Sequence, residues 1–139
     1  MKGKNNPLNI RTSSAFTWNG QTGSHQGFCD FDDVSMCRRA GLYLLMRSYR
    51  RAGVKTLGDI IKRWAPSFEN PTGAYITYVS NRTGLQPTMQ LYFDSDYAAI
   101  LAAMEIFEQG ISVNKRAEYY ETTRKSYEYL ISYFNIKQS

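Results

Sequence analysis

One glutamate in this chain stands where a carboxylic acid could do chemistry. Glu108 lies in the last turn expected of the most apolar helical segment, YAAILAAMEIFEQG. A carboxylate at that end faces the negative pole of the helix dipole. Partial burial beside Phe107 and tyrosines would further disfavour its charged form. An acid that keeps its proton towards neutral pH can protonate a glycosidic oxygen. Position alone favours the plainer alternative, a surface glutamate near a helix end. Glu69, in an expected loop after Arg-Trp-Ala-Pro, is a candidate second catalytic carboxyl, or else an acidic residue stabilised by a helix N-terminus. Asp30, Asp32 and Asp33 cluster before a helix, where capping is the dominant role. Strand alternation sets Asp30 apart from Cys29 and Phe31.

Other chemistries find less support. Cys29, Cys37 and the single histidine, His25, do not have metal-ligand spacing; a zinc site needs three or four such ligands, so no metal is expected. A cysteine–histidine hydrolase would require one thiol beside His25. The cysteines sit among apolar residues and read as buried free thiols, which fits folding in a reducing compartment. There is no glycine-rich phosphate loop, no serine nucleophile elbow and no dinucleotide fingerprint, so no cofactor is expected. Asn5-Asn6-Pro7-Leu8-Asn9-Ile10 displays several amides, able to bind sugar N-acetyl groups and hydroxyls or to close turns on their own backbone. Trp18 and Trp64 can stack on sugar rings or pack in the core.

The elements that must position these residues are mainly helical. Residues 1–14 read as a polar, extended arm. The aromatic runs 15–18 and 27–31 flank a Gly/Asn/Ser-rich stretch, and Asn19-Gly20 predicts a hairpin turn between them. A helix capped by Asp32 or Asp33 is expected to run to Ala52 and stop at Gly53. Thr56 caps a shorter helix ended by Pro66, with Leu57, Ile60, Ile61 and Trp64 as its stripe. Asn70-Pro71 opens a third helix, burying Tyr75, Ile76 and Val79 and closing at Gly84. The fourth, from Asp94 or Ser95 to Gly110, is the expected central core helix. The fifth covers 114–134, with Tyr120, Tyr127, Leu130, Ile131 and Phe134 on one side.

The 139 residues fit one domain, 1–139. Hydrophobic residues make up 42% and charged residues 21%, ordinary for a globular chain that needs no disulfide or metal staple. Aromatics reach 14%, with eleven tyrosines, which suits ligands having apolar faces and hydroxyls. The net charge of +5 favours an anionic partner: cell wall, anionic lipid or nucleic acid. Its arginines and lysines are spread along helix faces, and nucleic acid is not the expected partner. The N-terminus lacks the apolar stretch of a signal peptide, and no run is long enough for a membrane span.

Several segments together resemble a family of small phage virion proteins, some associated with lytic activity: NNPLNIR, W-x-G-Q, GFCDF, RRAGLYLL, T-L-x-x-I-I-x-R-W-A-P-x-x-E-N-x-T-x-x-Y and AM-x-x-x-E-x-G. The resemblance covers roughly residues 5–110, and Arg63 to Tyr75 is its most specific part. Asn5 to Arg11 is also similar to the N-N-L-F-G-I-K segment of flagellar-type, lysozyme-like glucosaminidases. Phe28 to Tyr49 is similar to the strand and helix that follow it there. Those enzymes carry their catalytic glutamate at a helix end in an E-S-G-W context, to which Glu108-Gln109-Gly110 is similar.

The resemblance implies a mainly α, lysozyme-like small α+β domain in permuted order, with about five helices and a short N-terminal hairpin. Glu108 would pack beside the Asn5–Ile10 arm. Asn6, Asn9, Trp64, Glu69 and Tyr75 become expected cleft residues, with Trp18. The implied activity is cleavage of bacterial peptidoglycan by a muramidase, glucosaminidase or lytic transglycosylase. The implied location is a phage particle, or the host cytoplasm before assembly. The tyrosine-rich helix 114–134 could dock onto other virion proteins.

Overall fold

The computed structural model describes residues 2–67 and 71–134. Two antiparallel strands, β1 (Gln21–His25) and β2 (Phe28–Phe31), precede the helices α1 (Val34–Tyr43), α2 (Leu57–Trp64), α3 (Thr72–Thr83), α4 (Asp94–Gln109) and α5 (Arg116–Phe134). This is the expected mainly α, small α+β class. The hairpin is displaced from its expected place. Residues 15–18 form no strand, and the connecting turn is Gln26-Gly27, with φ of 51° and 84°. Two left-handed residues in a two-residue connection match the twist of paired strands. Asn19-Gly20 makes a separate turn, closed by the Gln21 N–H donating to the Trp18 carbonyl at 3.0 Å. Both dipeptides accept positive φ, so local composition could not tell which one would carry the strand pair.

The helix ends follow local chemistry. Asp33 accepts from the Met36 N–H at 3.2 Å and Thr56 from the Asp59 N–H at 3.1 Å, each satisfying a donor that the helix leaves open. Gly84 and Gly110 close α3 and α4 at φ of 78° and 58°, the left-handed stop that glycine adopts without a Cβ penalty. The first helix is not the continuous α-helix expected. It widens into a π-helical stretch at Leu44–Tyr49, a form often found at functional sites. At α3, Pro71 occupies the cap position. Asn70, the expected cap, lies outside the described residues, as do Glu69 and the side chain of Phe134. The Thr72 hydroxyl donates to the Ala65 carbonyl at 2.6 Å, tying the start of α3 to the end of α2.

Helix α4 is the centre of the molecule. It packs on α3, α5 and α1 and buries Ala98, Ile100, Leu101, Ala102, Ala103 and Met104 completely. The N-terminal arm is not the solvated segment its polarity predicts. Leu8 is wholly buried and Ile10 nearly so, each contributing about 1.5–3 kcal/mol of apolar burial. Asn5 and Asn9 adopt φ of 54° and 53°, which asparagine tolerates better than most residues. Those two positions let the arm turn sharply enough to insert Leu8 against Gly41 of α1. Among the described residues, no helix is long and apolar enough to cross a membrane.

Candidate functional site

The arm meets the C-terminal end of α4 through two side-chain contacts. The Asn9 Nδ2 donates to Glu108 Oε1 at 2.8 Å, and the Gln109 Nε2 donates to the Pro7 carbonyl at 2.8 Å. On the other side of the carboxylate, the Tyr75 hydroxyl donates to Glu108 Oε2 at 2.8 Å. Tyr75 is buried and stacks on Phe107, with ring centroids 4.1 Å apart. Burial and the adjacent Glu108 carboxylate push its phenol well above the usual tyrosine range. It is therefore a fixed donor. Of roughly four lone-pair positions on a carboxylate, two are occupied by these donors, which leaves the others for a proton or a ligand.

Glu108, half-buried, borders a cleft of about 260 Å³. This is slightly below the range of small-molecule sites, roughly 300–1,000 Å³, and suits a short stretch of an extended ligand. One wall comes from the arm: Asn9, Ile10, Arg11 and Ser13. Aromatic walls are formed by Phe16, Trp18, Phe28, Tyr49 and Trp64, and Leu44, Ala65 and Lys2 complete the lining. Leu44 and Tyr49 both come from the π-helical stretch. Trp18 is braced edge-on by Phe16 at 4.8 Å and by Tyr43 at 5.9 Å. Tyr49 carries the Arg63 guanidinium over its ring at 5.3 Å, and burial pushes its phenol up to about 12.

Five of the residues singled out from sequence thus converge: Glu108, Asn9, Trp18 and Trp64 line the cleft, and Tyr75 holds Glu108 from behind. Two corrections follow. Tyr75 is 1% exposed and lies behind Glu108, not on the cleft wall. Asn6 is fully buried. Its amide donates to the Ile10 and Cys29 carbonyls at 3.0 and 2.9 Å and accepts from the Ile10 N–H at 2.9 Å and the Cys37 thiol at 3.3 Å. Asn6 therefore ties the arm to β2 and α1. Glu69 lies outside the described residues.

Among the described residues, Glu108 is the only carboxylate that lines the cleft. Asp30 is held elsewhere, by the Lys4 N–H at 2.7 Å and by the His25 ring at 2.8 Å. Cys29 and Cys37 are free and buried, and burial pushes both thiols up, the wrong direction for a nucleophile. Among the described residues, no group of three His, Cys, Asp or Glu side chains could hold a metal ion.

Lys2, Arg11, Ser13, Phe16, Phe28, Leu44 and Tyr49 were not picked out from sequence. Arg11 was accessible by alternation, since in an extended arm it shares a side with Asn9. The others gave no local signal.

No family model matches the chain. Protein P5 of Pseudoalteromonas phage PM2 is 36% identical to it over 113 residues, covering 76% of this chain and 68% of that protein.

Proposed function

The chain belongs to the family of protein P5 of Pseudoalteromonas phage PM2, and on that premise we propose that it is a virion-borne glycosidase that cuts bacterial peptidoglycan, with Glu108 as its general acid. The observation that carries this reading is the setting of one carboxyl group. Glu108 is anchored from two sides by Asn9 and Tyr75 and borders a cleft walled by Trp18, Trp64, Phe16 and Tyr49. Aromatic faces suit the apolar faces of sugar rings. The chain's net charge of +5 suits an anionic wall.

In this reading the Glu108 proton passes to the glycosidic oxygen as the bond to the anomeric carbon breaks, so the leaving sugar departs as a neutral alcohol. The cationic anomeric centre is then captured by water, giving a hydrolase, or by the substrate's own hydroxyl, giving a lytic transglycosylase. The second route needs no further carboxylate, which agrees with the single carboxylate among the described lining residues. Asn9 and Tyr75 limit the rotation of Glu108, so the carboxyl group is oriented before substrate arrives.

Glu108→Gln is expected to abolish clearing of purified peptidoglycan while leaving the helical circular dichroism spectrum intact. Clearing at the wild-type rate would overturn the proposal. Mass analysis of the fragments assigns the reaction: anhydro ends mean transglycosylation, reducing muramic ends a muramidase, and reducing glucosamine ends a glucosaminidase.

A second reading rests on α5. Tyr129 and Tyr133 are 63% and 64% exposed, on the side away from the buried Tyr127, Leu130 and Ile131. A non-catalytic virion component could dock through that face. An inactive wild-type protein that assembles into particles, and is lost from them on Tyr129→Ser, would favour this role.

A further inference from the structure

Two cations stand at the cleft with no carboxylate partner among the described residues. The Lys2 ammonium lies 4.8 Å from the centre of the Phe28 ring, and the Arg11 guanidinium lies 4.7 Å from it. All three residues line the same cleft as Glu108 and Trp64. Their placement is built by the backbone. Arg11 forms an antiparallel bridge with Phe28, fixed by the Cys29 N–H to the Ile10 carbonyl and the Thr12 N–H to the Gly27 carbonyl, both at 2.9 Å. Gly3 seats the chain beside Lys2 so closely on the Cys29 carbonyl that any Cβ there would overlap it.

Contact with an aromatic face orients a cation without neutralising it. Both like charges are thus held against one ring at the same cleft. A cleft for a neutral sugar polymer would have no use for them. Peptidoglycan differs from a neutral N-acetylglucosamine polymer in its lactyl-linked stem peptides, which carry carboxylates.

We propose that Lys2 and Arg11, braced on Phe28, form a subsite for the stem-peptide carboxylates of the glycan strand, so that the cleft selects peptide-bearing strands over neutral ones. This rests on the glycosidase reading of the same cleft and names what it recognises beyond the sugar backbone.

The test measures binding and cleavage separately. Soluble glycan strands with free stem-peptide carboxylates are compared with strands whose stem-peptide carboxylates have been amidated and with neutral N-acetylglucosamine oligomers. Wild-type protein is expected to prefer the strands with free stem-peptide carboxylates, and the preference should weaken as salt rises. In Lys2→Gln/Arg11→Gln the ratio of KM values between amidated strands and strands with free stem-peptide carboxylates should fall about ten-fold, which corresponds to about 1.4 kcal/mol. Lys2→Arg/Arg11→Lys should restore most of it. An equal loss on all substrates, or no change, would overturn the subsite, because removal of a packing contact on Phe28 makes no distinction between charged and neutral ligands. Competition by DNA fragments that the double variant escapes, with the KM ratio unchanged, would assign the cations to nucleic acid instead. Binding that follows the expected pattern without any cleavage would keep the subsite and remove the glycosidase reading. Cleavage without discrimination would do the reverse.

Discussion

The Asn9 carboxamide reaches Glu108 Oε1 at 2.8 Å across 99 positions of sequence. This contact joins an N-terminal arm to the end of the central helix, and with the Tyr75 hydroxyl it defines the orientation of the candidate acid. Asn9 arrives there because its own φ is 53°, a turn that leaves Leu8 in the core and presents the amide to the carboxylate.

Removing either donor should loosen the acid without unfolding the protein. Tyr75→Phe keeps the ring stacked on Phe107 and loses only the hydroxyl; Asn9→Gly keeps the left-handed backbone and loses the amide. Each is expected to lower kcat on peptidoglycan by about 10- to 100-fold, the scale of a misplaced catalytic group, with little change in KM. Initial clearing rates across substrate concentrations make the comparison. A kcat equal to wild type in both variants would show that the orientation of Glu108 does not limit turnover.

A second carboxylate on α4 has a structural part. Glu105 is completely buried. It accepts from Arg38 Nε at 2.8 Å and Nη2 at 3.0 Å, and from the Tyr119 and Tyr127 hydroxyls at 2.7 and 2.6 Å. Glu105→Ala strands a guanidinium and two phenols and is expected to cost about 3–5 kcal/mol in urea unfolding. Replacing the pair together, Glu105→Leu with Arg38→Met, should recover much of that loss, since no unpaired charge remains. A single-variant cost below about 1 kcal/mol would mean that water reaches the site and screens it.

Asp30 gives the acid limb of stability a defined origin. Its carboxyl is held below the usual carboxylate range, first by the Lys4 N–H and then by the His25 ring. A carboxylate whose pKa is depressed by folding contributes fully above its unfolded value, about 3.9. The contribution disappears as the pH falls from there through the lower folded value. The melting temperature of wild type should therefore drop below about pH 4 more steeply than that of Asp30→Asn. Parallel curves down to pH 2 would show that the arm-to-hairpin contact carries no such linkage.

What the sequence alone determined is what short-range chemistry controls. Asp33, Thr56, Gly84 and Gly110 mark helix ends because a cap hydrogen bond or a positive φ involves residues only a few positions apart. The apolar run of α4 announces a core helix because its periodicity is local, and the end of that helix singled out Glu108. Tertiary structure decided the rest. Asn6 and Asn9 are the same residue type three positions apart, yet one knots the arm to β2 and the other faces Glu108; the difference lies in which partners surround them, not in their own neighbours along the chain. Tyr75 became a support and not a wall because α4 covers it. Phe28, Lys2 and Arg11 gained a shared cleft from backbone pairing between the arm and β2. Such pairings depend on packing over long sequence separations, which no window along the chain contains.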